Sequence, residues 1–223
     1  MQKKIALIVG TGPNISYSFA KELTKAGYDV ALAARNIEKL KALCEPIQAH
    51  AFQVDVSSIE DIQKLFFSVE NALGEPEVVL FNPSARVKGA IDALDAKEVA
   101  HAVNTTAMGA FATAQEAAKR MIPKKHGAIF FTGATASVKG FANSSGFAMS
   151  KFAVRGLAQS LARELSPDGI HVAHFVIDGS VKSDPAGDAM TADAIAQTYM
   201  AVLNQPKGAW SWELEIRSKN ETF

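Results

Sequence analysis

The sequence lacks several features that define specialised classes of protein. It contains a single cysteine, Cys44, so no internal disulfide can form. Its five histidines are scattered, and no group of cysteines and histidines has the spacing of zinc ligands. We therefore expect neither a metal site nor a disulfide framework.

An excess of charge of either sign is also missing. The 223 residues include 23 basic and 23 acidic side chains, and the basic ones are spread along the chain. A domain that binds nucleic acid usually concentrates its basic residues on one face or one helix. We therefore expect no nucleic-acid partner.

Long apolar runs are absent as well. The first run, residues 5–9, stops at Gly10 and is too short for the core of a signal peptide. No run approaches the ~20 apolar residues that a membrane span needs. These features favour a cytoplasmic protein without a membrane partner, built as one domain over residues 1–223.

What the sequence does contain is an alternation of short apolar runs with longer segments of helical period. The predicted strands are residues 5–9, 30–34, 51–54, 78–81, 128–132, 171–177 and 212–216. The predicted helices are residues 16–26, 37–44, 59–72, 96–121 and 145–165, with a weaker one at 192–203. Such alternation builds parallel βαβ units, so we predict an α/β fold. It is a Rossmann-type, doubly wound parallel sheet of strand order 3-2-1-4-5-6-7, with helices on both faces.

The least regular part of the chain is residues 178–207, which mix Gly, Pro, Asp and Ser. In an open α/β sheet this segment follows the carboxyl end of a strand, where ligands bind. We interpret it as a substrate lid, and an ordinary surface loop is the alternative.

Three candidate ligand-binding positions follow predicted strands. The first strand runs into a turn at residues 10–16 that contains Gly10 and Gly12, and a helix follows it. Such a turn lets backbone N–H groups approach a pyrophosphate. Asp55 follows the third strand and Asn82 the fourth, so both lie on the same edge of the sheet as the turn. Each of them could simply cap a turn, but together they indicate a cofactor cleft.

With these motifs the chain resembles the short-chain dehydrogenases/reductases over essentially its whole length. The family's glycine-rich turn falls on residues 9–16, where Gly10 is kept while Asn14 and Ser16 replace two glycines. The family's Asp-Val pair against the adenine falls unchanged on Asp55 and Val56.

Two further motifs of the family can be recognised, and only a single residue of each is matched. The Asn-Asn-Ala-Gly segment falls on residues 81–84, where Asn82 is kept and Pro83 follows it. The family's active-site asparagine in mid-helix falls on Asn104. The resemblance implies that Asn104 orients a water molecule.

The largest departure from the family lies at its catalytic pair. The family places a tyrosine and a lysine at positions i and i+4 of one helix, and these fall on Phe147 and Lys151. The catalytic serine falls on Ala134, 13 residues before Phe147. Lys151 is therefore implied to hold the nicotinamide ribose, while both usual proton-handling side chains are missing.

A substitute proton donor has no motif of its own in this sequence. A water molecule held by Lys151 and Asn104 is one candidate, and Tyr199 in the predicted lid is a less favoured one, since it could equally be a packed aromatic. Tyr17, which follows the glycine-containing turn, is a further candidate. So are four hydroxyl groups close in sequence to the altered site, those of Thr132, Thr135, Ser144 and Ser145.

The choice between NAD and NADP is decided at the end of the second strand. An acidic side chain there binds the ribose 2′-OH of NAD, and a cation accommodates the 2′-phosphate of NADP. Arg35 stands at this tip, whereas Asp29 precedes the strand and lies at its other end. We therefore predict that NADP(H) is preferred over NAD(H), with a solvated surface arginine as the alternative.

The resemblance also assigns contacts after the sixth strand, to Val181 for the nicotinamide and to Ser183 for the pyrophosphate. Asp178 is either a new charge near this region or, as we favour, a turn residue. The complete set of predicted cofactor-binding residues is Gly10, Thr11, Gly12, Asn14, Ile15, Arg35, Asp55, Val56, Asn82, Pro83, Lys151, Val181 and Ser183. The predicted catalytic positions are Asn104, Lys151, Phe147 and Ala134.

Two functions remain open at this point. The first is an NADP(H)-dependent oxidoreductase with an atypical proton pathway, acting on a small carbonyl or alcohol. The second is a protein of the same fold that binds NADP(H) without turnover, as a sensor or assembly partner. A methyl-transfer enzyme is a weaker third, because it gives Lys151 and Arg35 no role. In either of the first two cases the long helices, 96–121 and 145–165, resemble the family's dimer interface and predict a homodimer or homotetramer.

Overall fold

A computed structural model describes residues 4–182 and 189–219 of the chain. Seven parallel strands form its main sheet: β1 (Lys4–Val9), β2 (Tyr28–Ala34), β3 (His50–Gln53), β4 (Val78–Phe81), β5 (Gly127–Thr132), β6 (Ile170–Asp178) and β9 (Glu213–Arg217). Their order is β3-β2-β1-β4-β5-β6-β9, and every pairing is parallel. The predicted doubly wound sheet, its seven strands and their order are confirmed.

Helices cover both faces of this sheet: α1 (Ile15–Lys25), α2 (Ile37–Cys44), α3 (Ile59–Ala72), α4 (Ala96–Val103), α5 (Gly109–Met121), α6 (Ser145–Leu165) and α7 (Ala192–Leu203). One core cluster joins the sheet to α1, α2 and α7, and the other joins it to α3, α5 and α6. Because both faces are covered, β4, β5 and β6 are buried along their whole length.

Polar side chains at the carboxyl ends of strands start several of the helices. The side chain of Asn36 accepts a hydrogen bond from the Lys39 N–H, and Ser58 accepts one from the Asp61 N–H. These caps satisfy backbone donors that the first helical turn leaves open.

The predicted single helix over residues 96–121 is divided in the structure. A wider, π-helical turn, Asn104–Met108, separates α4 from α5. Gly109 follows this turn at a close approach, because a Cβ there would lie 2.7 Å from the backbone oxygen of Val56. Polar contacts to two neighbouring loops accompany the widened turn, through Asn104 to Ser57 and through Thr106 to Ala85.

The helical part of the predicted lid belongs to the hydrophobic core. Ile195, Ala196, Tyr199 and Val202 of α7 are buried against the sheet beside α1. Before α7, a short parallel pair joins β7 (Val181–Lys182) to β8 (Met190–Thr191), two strands that the sequence analysis did not predict. The role of residues 178–207 as a substrate lid stays a prediction. Within this segment, α7 is packed against the sheet. None of the described helices is both long and apolar enough to cross a bilayer.

Candidate active site

Three of the cavities at the carboxyl edge of the sheet form the candidate site, and we name each after one residue of its wall. A further cavity of about 440 Å³ lies beside Arg35 and Asp55. The Arg35 cavity, about 450 Å³, is lined by Gly10, Thr11, Ala34, Arg35, Asn36, Val54, Asp55, Val56, Asn82, Pro83, Ser84 and Thr105. The Lys151 cavity, about 530 Å³, is lined by Ile15, Asn82, Ser84, Arg86, Thr132, Gly133, Ala134, Lys151, Ile177, Gly179, Ser180, Val181 and Lys182. The Phe147 cavity, about 520 Å³, is lined by Arg86, Lys88, Ala134, Thr135, Ala136, Phe141, Ala142, Asn143, Ser144, Phe147, Ile177, Gly179 and Ser180.

Neighbouring cavities share parts of their walls. Asn82 and Ser84 line both the Arg35 and the Lys151 cavities. Arg86 and Ala134 line both the Lys151 and the Phe147 cavities. The three cavities therefore follow one another along the sheet edge from β2 to β6.

The turn after β1 is held close to β2 and β4. The N–H groups of Gly10 and Thr11 both donate to the Ala33 carbonyl, at 2.9 and 3.0 Å. Gly10 has a φ of +79°, and a Cβ there would lie 2.4 Å from the ring of Pro83. Only glycine suits this position, because both the backbone angle and the contact with Pro83 exclude a side chain.

Asn82 connects the turn after β1 to β4. Its side-chain amide donates to the Gly10 carbonyl at 3.1 Å, and its backbone N–H donates to the Val9 carbonyl at 3.0 Å. The helix start beside this turn keeps free donors within the described structure, because the Asn14 side chain makes no capping hydrogen bond to α1.

Asp55 and Arg35 face the same cavity from β3 and β2. Hydrogen bonds from the Ser57 N–H and hydroxyl, at 3.0 and 2.7 Å, lower the pKa of Asp55, and the charge of Arg35 lowers it further. The Arg35 side chain is exposed, while its carbonyl is fixed by the Gln53 amide at 3.0 Å. An ionised carboxylate and an unshielded guanidinium thus meet at this end of the edge.

Lys151 is the buried cation of the site. Its side chain is 3% exposed, and its Nζ donates to the Thr132 carbonyl at 2.7 Å. No carboxylate among the described residues forms an ion pair with it. Burial, together with the nearby charge of Arg86, lowers the pKa of Lys151 to about 7.

A histidine lies behind this lysine, and the sequence analysis missed it. His174 of β6 is fully buried, and its Nδ1 lies 3.0 Å from a carboxylate oxygen of Glu213. Arg155 donates to both oxygens of the same carboxylate, at 2.7 and 2.8 Å. Its Nε2 has no hydrogen-bond partner within the described part of the chain. Burial lowers the pKa of His174 to about 4, and the charges of Lys151 and Arg155 act in the same direction, so the ring is neutral beside Lys151.

Phe147 lies one helical turn before Lys151 on α6 and is 6% exposed. The guanidinium carbon of Arg86 lies 4.5 Å from the centroid of its ring, a cation–π contact. The sequence analysis did not single out Arg86, because no motif surrounds it. The one sequence feature that could have indicated Arg86 is its position four residues after Asn82, on the same sheet edge.

The structure bears only on the side-chain part of the water-binding role predicted for Asn104, and a contribution from its backbone stays a prediction. Its side-chain amide donates to the Ser57 carbonyl at 2.8 Å, and the residue does not line the Lys151 cavity. The structure therefore does not bring the Asn104 side chain to Lys151. Thr105, its neighbour, lines the Arg35 cavity instead.

One candidate proton donor from the sequence, Tyr199, is excluded by its contacts. Tyr199 is fully buried, stacks on Phe175 at 3.9 Å, and its hydroxyl lies 3.1 Å from that of Thr132. Burial raises the pKa of Tyr199 further above its usual range. Tyr199 is thus a core residue and cannot contact a substrate.

Asp178 is neither a free charge in the cleft nor a simple turn residue. It ends β6 with 2% exposure, forms an ion pair with Arg217 at 2.6 Å, and accepts a hydrogen bond from the Thr135 hydroxyl at 2.5 Å. The prediction of a turn residue was wrong, because the carboxylate joins β6, β9 and the loop after β5. This bond also occupies the Thr135 hydroxyl.

Most of the predicted cofactor-binding residues line the first two cavities. The exceptions are Gly12 and Asn14, which lie in the turn but in neither wall, and Ser183, which lies outside the described residues. Among the predicted catalytic positions, Lys151 and Ala134 line the Lys151 cavity, and Phe147 lines the adjoining one.

Comparison with known proteins identifies the class to which this fold and site belong. The family model for short chain dehydrogenases matches residues 4–193. The chain therefore belongs to the short-chain dehydrogenase family, a family of oxidoreductases.

Individual relatives agree with this assignment. The 3-oxoacyl-[acyl-carrier-protein] reductase MabA of Mycobacterium tuberculosis is 28% identical over 178 residues, 80% of this chain and 69% of that protein. Carbonyl reductase family member 4 of Xenopus tropicalis is 25% identical over 218 residues, 91% of this chain and 92% of that protein.

Solved structures match over nearly the whole chain. A short-chain dehydrogenase from Rhodopseudomonas palustris is 32% identical with a TM-score of 0.87, covering 96% of this chain and 98% of its own. An actinorhodin polyketide ketoreductase with NADPH has a TM-score of 0.90 at 22% identity, covering 97% and 96%. At that lower identity the likeness shows the fold alone.

Proposed function

We propose that this protein is an NADP(H)-dependent oxidoreductase that interconverts a small carbonyl compound and its alcohol, with Lys151 as the proton donor for reduction. The observation that carries the proposal is the placement of Lys151. A buried amine without a carboxylate partner among the described residues lines the Lys151 cavity, which shares wall residues with the Arg35 cavity. In a purely structural role, a buried lysine would be expected to have its charge paired.

The donor groups along the edge suit a dinucleotide. The Arg35 and Lys151 cavities share Asn82 and Ser84, so one extended molecule can occupy both. Between them lies the start of α1, whose first N–H groups suit a pyrophosphate. The buried hydroxyl of Thr105, which has no hydrogen-bond partner in the described structure, is available in the wall of the Arg35 cavity.

Individual residues are assigned accordingly. Asp55 and Val56 would hold the adenosine end, and Arg35 the 2′-phosphate that distinguishes NADP from NAD. Val181 and Lys151 would hold the nicotinamide end. Solved structures of the same fold include the ketoreductase with NADPH and a metagenomic oxidoreductase in complex with NADP, which supports binding of a nicotinamide cofactor.

When bound, the cofactor supplies the hydride for the carbonyl carbon. The oxygen must then gain a proton, which Phe147 cannot provide. The Thr132 carbonyl accepts one N–H of Lys151 and leaves two others for the substrate oxygen. Lys151 donates its proton to that oxygen, and the neutral amine regains a proton from solvent.

The surroundings of Lys151 favour proton transfer near neutral pH. Arg86 and Lys182 line the same cavity, and neutral His174 lies behind it, so the described neighbours add positive charge and no unpaired negative charge. An acid is most effective when its pKa lies near the working pH. A pKa of about 7 meets that condition for Lys151.

The relatives are named as reductases and dehydrogenases, which favours turnover over binding alone. The test is NADPH oxidation by the purified protein against a panel of aldehydes and ketones, with NADPH binding measured separately by fluorescence titration. Turnover that Lys151→Met abolishes supports the proposal. Tight NADPH binding without turnover on any panel member supports the non-catalytic alternative.

A further inference from the structure

The Phe147 cavity has a distinctive distribution of charge. Two cations, Arg86 and Lys88, belong to its wall, and none of its described lining residues is acidic. Asp178, which adjoins two lining residues, is buried and already neutralised by Arg217. Within the described ranges neither Arg86 nor Lys88 forms an ion pair. The wall therefore presents uncompensated positive charge.

The loop that carries both cations is fixed at its two ends. The Ala85 N–H donates to the Thr106 hydroxyl at 3.0 Å, and the Gly89 N–H donates to the Asn143 carbonyl at 3.1 Å. Between these anchors, Arg86 is held over the Phe147 ring. A guanidinium held over an aromatic ring makes no hydrogen bond to that ring, so its N–H donors stay available to bind a carboxylate with two hydrogen bonds.

Arg86 also connects this cavity to the proposed reaction centre, because it lines the Lys151 cavity as well. A molecule with its carbonyl beside Lys151 can thus place another group beside Arg86. The volume of about 520 Å³ lies in the usual range for small-molecule sites. Hydrogen-bonding groups of Asn143 and Ser144 complete a wall suited to a polar group.

We propose that the Phe147 cavity binds the carboxylate of an oxo-acid substrate through Arg86 and Lys88. This inference rests on the proposed function and specifies its substrate class. Reduction then converts an oxo acid to a hydroxy acid: the carbonyl carbon gains a hydride from the cofactor, and its oxygen gains the proton of Lys151. The carboxylate itself undergoes no chemical change.

Matched pairs of substrates test the role of charge directly. Pyruvate, acetoacetate and 4-oxopentanoate are each compared with their methyl esters, so that every pair differs mainly in the negative charge. The free acid of at least one pair should have the higher kcat/KM. Because hydrogen bonds between charged groups are lost, Arg86→Gln should lower that acid-to-ester ratio about 10- to 100-fold. The three chain lengths report how far the carboxylate lies from the carbonyl.

Lys139→Gln provides the matched control. Lys139 also lies over a phenylalanine ring, that of Phe141 at 5.5 Å, but it does not line the cavity. Its removal should leave the acid-to-ester ratio unchanged. Lys88→Gln should lower the ratio, and Arg86→Lys should retain part of it, because the charge stays while the two-pronged contact is lost.

A binding measurement separates this inference from the proposed function. Calorimetric titration of 4-oxopentanoate and its methyl ester into the protein, alone and with oxidised NADP, detects carboxylate binding without turnover. One outcome is that the acid binds, that Arg86→Gln weakens this binding, and that no substrate is reduced. This outcome would retain the inference about the cavity and refute the proposed function. Equal reduction of acids and esters would support the proposed function and refute the inference about the cavity. Arg86→Gln weakening NADPH binding as much as it lowers the acid preference would assign Arg86 to the cofactor and overturn the inference.

Discussion

Phe147 and Lys151 lie one turn apart on α6, yet they line different cavities, and Arg86 lines both. The ring of Phe147 supports the guanidinium of Arg86, and the charge of Arg86 helps to lower the pKa of Lys151. Phe147 therefore offers Arg86 an aromatic face but no phenolic proton, and Lys151 titrates in the adjoining cavity.

Restoring the family's residues should restore its usual chemistry. In Phe147→Tyr with Ala134→Ser, a phenol would stand four residues before Lys151, and the charges of Lys151 and Arg86 would lower its pKa. We expect the double variant to gain NADPH-dependent carbonyl-reductase activity on a broad panel of aldehydes and ketones. A positioned acid typically contributes about 10²- to 10⁴-fold, which sets the scale of the gain.

The single variants serve as controls for this experiment, and each should gain less than the pair. A double variant that folds, binds NADPH and gains no activity would contradict the placement of these two residues at the family's catalytic positions.

Cofactor preference should depend on Arg35. Arg35→Ala should weaken NADPH binding about 10- to 100-fold and leave NADH binding nearly unchanged, because only NADPH carries the 2′-phosphate. Lys39→Ala, on the exposed face of α2, changes the same charge outside the Arg35 cavity and should have little effect. Fluorescence titration measures the affinity of the unmodified protein and of both variants for NADPH and for NADH. Equal affinity of the unmodified protein for both cofactors would refute the assignment.

Exposed aromatic residues on α5 and α6 predict association between chains. Phe111 is 44% exposed and Phe152 is 43% exposed, whereas Ala114, on the same predicted interface helix as Phe111, is buried in the core. Light scattering at micromolar concentration should give a dimer or tetramer of the 23.7 kDa chain. Phe111→Asp with Phe152→Asp should dissociate it, because unpaired negative charges would be buried at the interface. Phe67→Asp on α3, where the side chain is 64% exposed, is the control. A monomer for the unmodified protein would contradict the prediction.

The packing of His174 against Gly133 gives a prediction about stability. A Cβ at Gly133 would lie 2.3 Å from His174 Nε2 and 2.8 Å from the Phe175 carbonyl oxygen. Gly133→Ala should therefore lower the free energy of unfolding by about 1–3 kcal/mol, the usual cost of overpacking. At Gly208 nothing lies within 4 Å of such a Cβ, so Gly208→Ala should cause no loss. Denaturant titration measures both, and an equal effect of the two substitutions would contradict this account of the packing.

The fold was predictable because its strands are buried on both faces and read as continuous apolar runs, such as Val78–Phe81. Residues directly after strands were also predictable as cleft residues, as Asp55 and Asn82 show. The ion pair between Asp178 and Arg217 could not be predicted, because it joins neighbouring strands that are far apart in the sequence. Arg86 was missed for a related reason: an arginine in a loop has no periodicity, and only the packing of α6 brings Phe147 beneath it.

The assignment of Lys151 as the proton donor can be tested directly by the pH dependence of kcat. This is measured for NADPH-dependent carbonyl reduction by the unmodified protein between pH 5.5 and 9. Reduction needs the protonated form of Lys151, and burial lowers its pKa to about 7, so the amine loses its proton as pH rises through that value. The account predicts that kcat is constant at low pH and falls about tenfold per pH unit above the pKa of Lys151. The reverse reaction, alcohol oxidation, should accelerate over the same range. A kcat for reduction that stays constant from pH 5.5 to 9 would contradict the assignment of Lys151 as the proton donor.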